Sequence, residues 1–141
     1  MAEEKKKILY AEDYESLRIV TMNVLQKEFS GYSIEQFADG SLLEDRLKQG
    51  AENIRLVLLD HNMPGKKGID IIREYSRTKD FIRIPFVLYF SDKEHLGYNA
   101  LIDGAFAYVP KGIAKIGDLI FTLRKALKYA EVHAEFTESL Q

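Results

Sequence analysis

The sequence predicts an α/β fold in which a parallel sheet of five strands is covered by helices on both faces. Three short apolar runs, each ending in polar or acidic residues, are typical of strands buried on both sides: Ile8 to Tyr10, Val57 to Leu59 and Pro85 to Phe90. Segments with helical periodicity separate these runs, which is the alternation expected of a parallel sheet. A chain of 141 residues with 46% hydrophobic content is sufficient for one compact domain.

Two weaker strands complete the predicted set of five. They are expected at Tyr32 to Phe37 and at Phe106 to Val109, where apolar residues are less continuous. Glycine- and proline-containing turns separate the elements: Gly31, Ala38 to Gly40, Pro64-Gly65 and Asp103-Gly104. The chain therefore contains five successive β-α units.

Helical spacing of apolar residues predicts the five helices that connect and follow the strands. In the first, the predicted buried stripe consists of Leu17, Val20 and Val24. Shorter helices are predicted around Leu42 to Leu47, Ile69 to Tyr75 and Leu96 to Ile102. The last helix has the strongest pattern, formed by Ile116, Leu119, Ile120, Leu123, Leu127 and Ala130.

Acidic residues follow the two predicted strands at which a ligand site is expected. In a doubly wound sheet with strand order 2-1-3-4-5, ligands bind beyond the carboxyl ends of the first and third strands, where the order reverses. Glu12 and Asp13 follow the first strand, and Asp60 follows the third. We therefore expect these three carboxylates to lie close together.

The composition excludes several other kinds of site and partner. The chain has no cysteine, so thiolate metal sites and disulfides are excluded, and hard cations become the expected metals. Its net charge of -2 and interspersed lysines and arginines argue against direct nucleic-acid binding. No apolar window approaches the length of a membrane span, which favours a cytoplasmic protein. The spacing of His61, His95 and His133 does not indicate a metal site.

Three motifs, taken in order, resemble the receiver domains of two-component signalling. They are Leu9 to Asp13, then Leu58 to Gly65 with Gly68, and finally Gly104 to Lys111. The resemblance covers residues from about 6 to 129, and it implies a flavodoxin-like (βα)5 fold. We therefore expect residues 1–141 to form one receiver domain, with 130–141 as a helical extension or tail.

The resemblance implies that Asp60 accepts a phosphoryl group from a sensor histidine kinase or a phosphotransfer protein. Glu12, Asp13, Asp60 and the backbone carbonyl of Asn62 would bind Mg2+, or alternatively Mn2+. A carboxylate can form such an acyl phosphate when nearby cations neutralise the incoming charge. The chain would then not be a conventional enzyme, but a protein that catalyses its own phosphorylation and dephosphorylation.

The resemblance also assigns a phosphate-binding lysine and two switch residues. Lys111 would pair with phosphoryl oxygens, Ser91 would supply the switch hydroxyl, and Tyr108 would be the aromatic residue whose rotamer follows it. The fourth helix, fifth strand and fifth helix would form the output surface. That surface would bind a separate effector protein or a second copy of the chain.

Departures from the family pattern support an alternative function. Pro110 precedes Lys111 and Gly112 follows it, whereas the family usually has proline after the lysine. Asp92 replaces the small residue that usually follows the switch hydroxyl, and Phe90 precedes it. The alternative is a pseudo-receiver that acts as a protein-interaction or dimerisation module without phosphotransfer. Retention of the three acids and the lysine favours phosphotransfer.

Overall fold

The computed structural model describes residues 4–91, 96–112 and 115–139, in which helices and strands alternate. The strands are β1 (Lys7–Ala11), β2 (Ser33–Phe37), β3 (Ile54–Leu59), β4 (Phe86–Phe90) and β5 (Ala107–Pro110). The helices are α1 (Glu15–Glu28), α2 (Gly40–Leu47), α3 (Gly68–Tyr75), α4 (Gly97–Ile102) and α5 (Ile116–Ser139). No helix in these described ranges combines the length and apolar character needed to cross a membrane.

The five strands form one sheet in the order β2-β1-β3-β4-β5, and every neighbouring pair is parallel. The predicted fold class and strand order are therefore confirmed. The carboxyl ends of β1 and β3 are adjacent, because Ala11 pairs with Leu59 at the end of both strands. This register places the residues that follow the two strands side by side.

The sheet separates two apolar cores, because successive side chains of a strand point to opposite faces. On one face, Ile8 and Tyr10 pack with side chains of α1 and α5. On the other face, Leu9 and Ala11 pack with side chains of α2 and α3. Both faces of β1 are therefore buried, which explains why its sequence is a continuous apolar run.

The buried row of α1 differs from the predicted stripe. Leu17, Thr21 and Leu25 follow one another at intervals of four residues; Thr21 and Leu25 are completely buried, and Leu17 is partly buried. Val20 is 52% exposed, so its predicted place in the core was wrong. The prediction considered only apolar residues and therefore passed over a threonine on the buried face.

A tight connection between β3 and α3 shapes the carboxyl end of β3. The Gly68 N–H donates to the His61 carbonyl at 3.0 Å. A Cβ atom at position 68 would lie 2.0 Å from the carbonyl oxygen of Asp60. Only glycine therefore allows the backbone of α3 to approach the end of β3 so closely.

Helix α5 continues beyond Ala130 to Ser139 and is attached to the sheet through Glu131. The Glu131 carboxylate contacts Lys6 Nζ at 2.6 Å and Arg55 Nε at 3.3 Å. It also accepts a hydrogen bond from the Tyr32 hydroxyl at 3.3 Å. Burial, together with this neighbouring carboxylate, raises the pKa of Tyr32 to about 12.

Replacing Glu131 with alanine should destabilise the protein by about 1 kcal/mol, because the largely buried Arg55 side chain would lose its acidic partner. Urea unfolding of Glu131→Ala measures this loss. Glu135→Ala is the matched control, since Glu135 lies one turn further along α5 and is exposed. Its stability should remain within about 0.5 kcal/mol of the parent. Equal losses in the two variants would contradict a specific role for Glu131.

Candidate functional site

Three carboxylates meet at the carboxyl ends of β1 and β3, as the sequence predicts. Glu12, Asp13 and Asp60 each offer one oxygen, and these oxygens lie within 4.8 Å of one another. Glu12 is completely buried and Asp60 is 5% exposed, whereas Asp13 is exposed. The cluster therefore opens to solvent on the side of Asp13.

Lys111 extends from the end of β5 to two of these carboxylates. Its Nζ lies 2.7 Å from Glu12 Oε1 and 3.0 Å from Asp60 Oδ2. The backbone of Lys111 is held against β4, because its N–H donates to the Phe90 carbonyl at 2.6 Å. Gly112 follows with a φ of 149°, a conformation that favours glycine. The unusual order of proline and lysine therefore still places the ammonium group in the cluster.

Backbone N–H groups orient both buried carboxylates. The His61 N–H donates to Asp60 Oδ1 at 2.7 Å, and the Tyr14 N–H donates to Glu12 Oε2 at 3.2 Å. Glu12 Oε1 makes no aligned hydrogen bond in the described part of the chain, although the Lys111 ammonium is close to it. A buried carboxylate oxygen with one ionic contact retains capacity to bind a cation.

The electrostatics of the cluster oppose full ionisation of its acids. Burial is the main cause that raises the pKa of Glu12 to about 7, and the Asp60 charge acts in the same direction. The contact with the Lys111 ammonium group only partly offsets these effects. Burial by itself would lower the pKa of Lys111, but its contacts with Glu12 and Asp60 outweigh burial and raise it. Lys111 is therefore the charged group that allows two buried carboxylates to lie close together.

Arg18 supports the loop between β1 and α1, a role that the sequence analysis missed. Its Nη1 donates to the backbone carbonyl of Glu12 at 2.7 Å, and its Nε donates to Gln36 Oε1 on β2 at 3.2 Å. These bonds connect the end of β1 to the neighbouring strand. An arginine on a helix surface has no sequence signal for such a contact.

Tyr10, Thr21 and Tyr89 form a buried polar group beneath the carboxylates, and the sequence analysis missed them too. Their exposures are 0%, 0% and 1%. Burial raises the pKa of both tyrosines, while the nearby Thr21 hydroxyl opposes this effect. Neither the Tyr10 hydroxyl nor the Thr21 hydroxyl makes an aligned hydrogen bond with another described group. The sequence did contain a signal for Tyr10. Side chains two residues apart on a strand point to the same face, and Tyr10 precedes Glu12 by two residues.

Of the two predicted switch residues, Ser91 follows β4 and Tyr108 lies on the neighbouring strand β5. Ser91 directly follows β4 and is half-buried, while Asp92 lies outside the described residues. Tyr108 on β5 is 41% exposed, and its ring packs edge-on against Phe90 with centroids 5.7 Å apart. The same ring covers the backbone of Gly97, where a Cβ atom would lie 2.4 Å from it.

The side chains of His61 and Asn62, which follow Asp60, form hydrogen bonds with residues of the same loop and of α3. His61 Nδ1 accepts from the Ile69 N–H at 3.3 Å, which directs this half-buried ring towards α3. Asn62 is exposed, and its Oδ1 accepts from Lys67 Nζ at 3.3 Å. The side chain of Asn62 is therefore directed at Lys67, and the metal ligand expected at this position is the backbone carbonyl. His95 lies outside the described residues.

The donor set of the cluster suits a hard divalent cation. All three side chains offer oxygen atoms, which Mg2+ prefers, and one of them is open to water. The buried Glu12 carboxylate offers a donor oxygen on the inner side of the cluster. The residues present therefore fit a magnesium site that keeps several water ligands.

Comparison with known families shows to which family the chain belongs. The model of a family described as the response regulator receiver domain matches residues 8–124. The chain belongs to this receiver family. The match includes both acidic loops and Lys111.

Individual relatives agree with this assignment. The chemotaxis protein CheY-3 of Vibrio cholerae is 30% identical over 83 residues, which cover 58% of this chain and 61% of CheY-3. The response regulator TrrA of Thermotoga maritima, solved in complex with Mg(2+)-BeF, is 27% identical with a TM-score of 0.74. That match covers 86% of this chain and 99% of TrrA.

A further solved structure supports the fold. A response regulator receiver domain from Clostridium thermocellum has a TM-score of 0.77 at 20% identity. The match covers 89% of this receiver and 97% of the other chain. At this identity the similarity shows the fold alone.

In metal-free buffer, the receiver should become less stable as pH rises from about 5 to about 8. The folded state raises the pKa of Glu12 from 4.5 to about 7, so it binds a proton that the unfolded chain has already released. Stability therefore falls with pH across this window, by an amount on the order of 1–3 kcal/mol. Urea unfolding in excess EDTA at several pH values measures the slope.

Glu12→Gln should show a smaller loss over the same pH range, because glutamine does not titrate. Glu15→Gln is the matched control, since Glu15 is exposed at the start of α1. Its pH profile should run parallel to that of the parent protein. Identical profiles for the parent and Glu12→Gln would contradict this account.

Proposed function

We propose that this receiver accepts a phosphoryl group on Asp60 from a sensor histidine kinase or a phosphotransfer protein. The observation that carries the proposal is the contact of Asp60 with Lys111 at 3.0 Å within the cluster of three carboxylates. A nucleophilic carboxylate beside a fixed cation suits a reaction in which phosphoryl oxygens must be neutralised. Phosphorylation is proposed to signal by changing the conformation of the protein surface, and not by releasing a product.

Glu12, Asp13 and Asp60, together with the backbone carbonyl of Asn62, would hold Mg2+, with Mn2+ as the alternative. When bound, the metal neutralises charge on the phosphoryl oxygens during transfer. The donor chemistry described above supports this assignment. So does the relative TrrA, which was solved with Mg(2+)-BeF.

In the proposed transfer, an oxygen of Asp60 forms a bond to phosphorus as the bond from phosphorus to the donor histidine nitrogen breaks. The electron pair of the broken bond stays on that nitrogen. The His61 N–H holds one oxygen of Asp60 in place, and Lys111 lies beside the other. For dephosphorylation, water attacks the phosphorus, and the Asp60 carboxylate and inorganic phosphate are released.

The phosphorylated state is proposed to act through Ser91 and Tyr108. Ser91 and Lys111 would bind the new phosphoryl oxygens and bias the position of the Tyr108 ring. The surface of α4, β5 and α5 bears several exposed large apolar side chains, among them Tyr98, Tyr108 and Phe121. A separate effector protein, or a second copy of the receiver, would bind this surface.

Incubation with Mg2+ and a small acyl phosphate should add one phosphoryl group to the receiver, as measured by intact mass. Asp60→Asn should abolish the adduct because the nucleophilic carboxylate is lost. Asp80→Asn is the control, since Asp80 is exposed between α3 and β4. An absent adduct, with Mg2+ binding confirmed separately, would instead support the protein-interaction or dimerisation module.

Mg2+ should stabilise the receiver, because it would bind the folded carboxylate cluster in preference to the unfolded chain. The melting temperature should rise by about 3–6 °C when Mg2+ is at roughly ten times its Kd. Asp13→Asn should weaken the response by removing one ligand, and Asp80→Asn should leave it intact. A melting temperature that does not respond to millimolar Mg2+ in the parent would exclude a functional metal cluster.

A further inference from the structure

The side chains beneath the site follow from the register of the sheet. Residues two positions apart on a strand point to the same face, so a residue that directly follows a strand lies above the residue two places before it. The site residues of this kind are Glu12, Asp60, Ser91 and Lys111. The residues of this lower layer are Tyr10, Leu58, Tyr89 and Val109, all of them buried on the face covered by α1 and α5. Two of the four are tyrosines.

Tyr89 is the member of this layer that contacts the lysine. Lys111 Nζ lies over the Tyr89 ring, 6.0 Å from its centroid. The ammonium group is therefore bordered by two carboxylates and by an aromatic face. The negative face of an aromatic ring attracts a cation, and the attraction is stronger where water is excluded. Lys111 is only 19% exposed, so its surroundings meet that condition.

The ring of Tyr89 is fixed in its position. Its side chain is 1% exposed within the core formed with α1 and α5, and the Thr21 hydroxyl lies close to it. Lys111, in contrast, has a flexible stem and is followed by Gly112, whose backbone is permissive. A rigid aromatic ring therefore lies beside an ammonium group that is carried on a flexible side chain.

We propose that Tyr89 is a positioning residue, whose ring holds the Lys111 ammonium beside Asp60 during phosphoryl transfer. The inference rests on the proposed function, because it assigns Tyr89 a part in that reaction. Attraction between the ring and the cation lowers the number of positions that Lys111 samples. The hydroxyl of Tyr89 is not required for this effect, whereas the aromatic ring is.

Two substitutions separate the ring from the hydroxyl. Tyr89→Phe retains the ring and should keep the rate of adduct formation from an acyl phosphate and Mg2+ within about two-fold of the parent. Tyr89→Leu removes the ring and should slow adduct formation by about 3- to 10-fold. A second readout is the 13C relaxation order parameter of the Lys111 Cε methylene group. It should fall in Tyr89→Leu and stay unchanged in Tyr89→Phe.

Tyr10→Leu is the matched control for the loss of a buried tyrosine. Tyr10 lies in the same layer and is about equally buried, but the ring that lies against the Lys111 ammonium is that of Tyr89. Both leucine variants should lose similar stability in urea, since each removes a large core side chain. Only Tyr89→Leu should alter the rate and the Lys111 order parameter.

Equal slowing in Tyr10→Leu and Tyr89→Leu would overturn the proposal, since the effect would then come from general loss of packing. An unchanged Lys111 order parameter in Tyr89→Leu would overturn it as well. Failure of the parent protein to form any adduct would reject phosphotransfer. In that case the relaxation comparison would still decide whether Tyr89 restrains Lys111.

Discussion

The ammonium group of Lys111 between Glu12 and Asp60 is the interaction on which this site depends. Two buried carboxylates at the ends of neighbouring strands repel each other, and burial makes their charged forms still less favourable. Lys111 contacts both, at 2.7 and 3.0 Å, and compensates part of that cost. In the proposed function, the same contacts place a positive charge beside the phosphoryl oxygens. One side chain therefore allows the two carboxylates to lie side by side within the fold.

The parallel sheet makes this arrangement possible. Its strand order places the ends of β1 and β3 next to each other. Lys111 follows β5, at the opposite edge of the sheet from β2, and its side chain extends to the same site. Local contacts then set the side chains: Arg18 connects the loop after β1 to β2, and Gly68 allows α3 to approach Asp60. The geometry of the site is thus a consequence of register and of a few close backbone approaches.

The sequence was sufficient to predict the fold and the acidic cluster, because both follow from strand periodicity and from the polarity of strand ends. It did not predict the buried row of α1, since Thr21 is polar and apolar spacing alone pointed to Val20. Tyr89 and Arg18 were missed because their partners lie 22 residues away at Lys111 and 18 away at Gln36. Such contacts depend on packing between elements, which no local pattern encodes.

The bare backbone at Gly97 links the start of α4 to the conformation of β5. Because the Tyr108 ring occupies the space that a Cβ atom would need, the residue type at 97 and the orientation of the ring are not independent. Alanine or any larger residue there is compatible only with a different ring orientation or a displaced helix. The identity of one residue on α4 therefore determines which conformations are open to an aromatic side chain on another element.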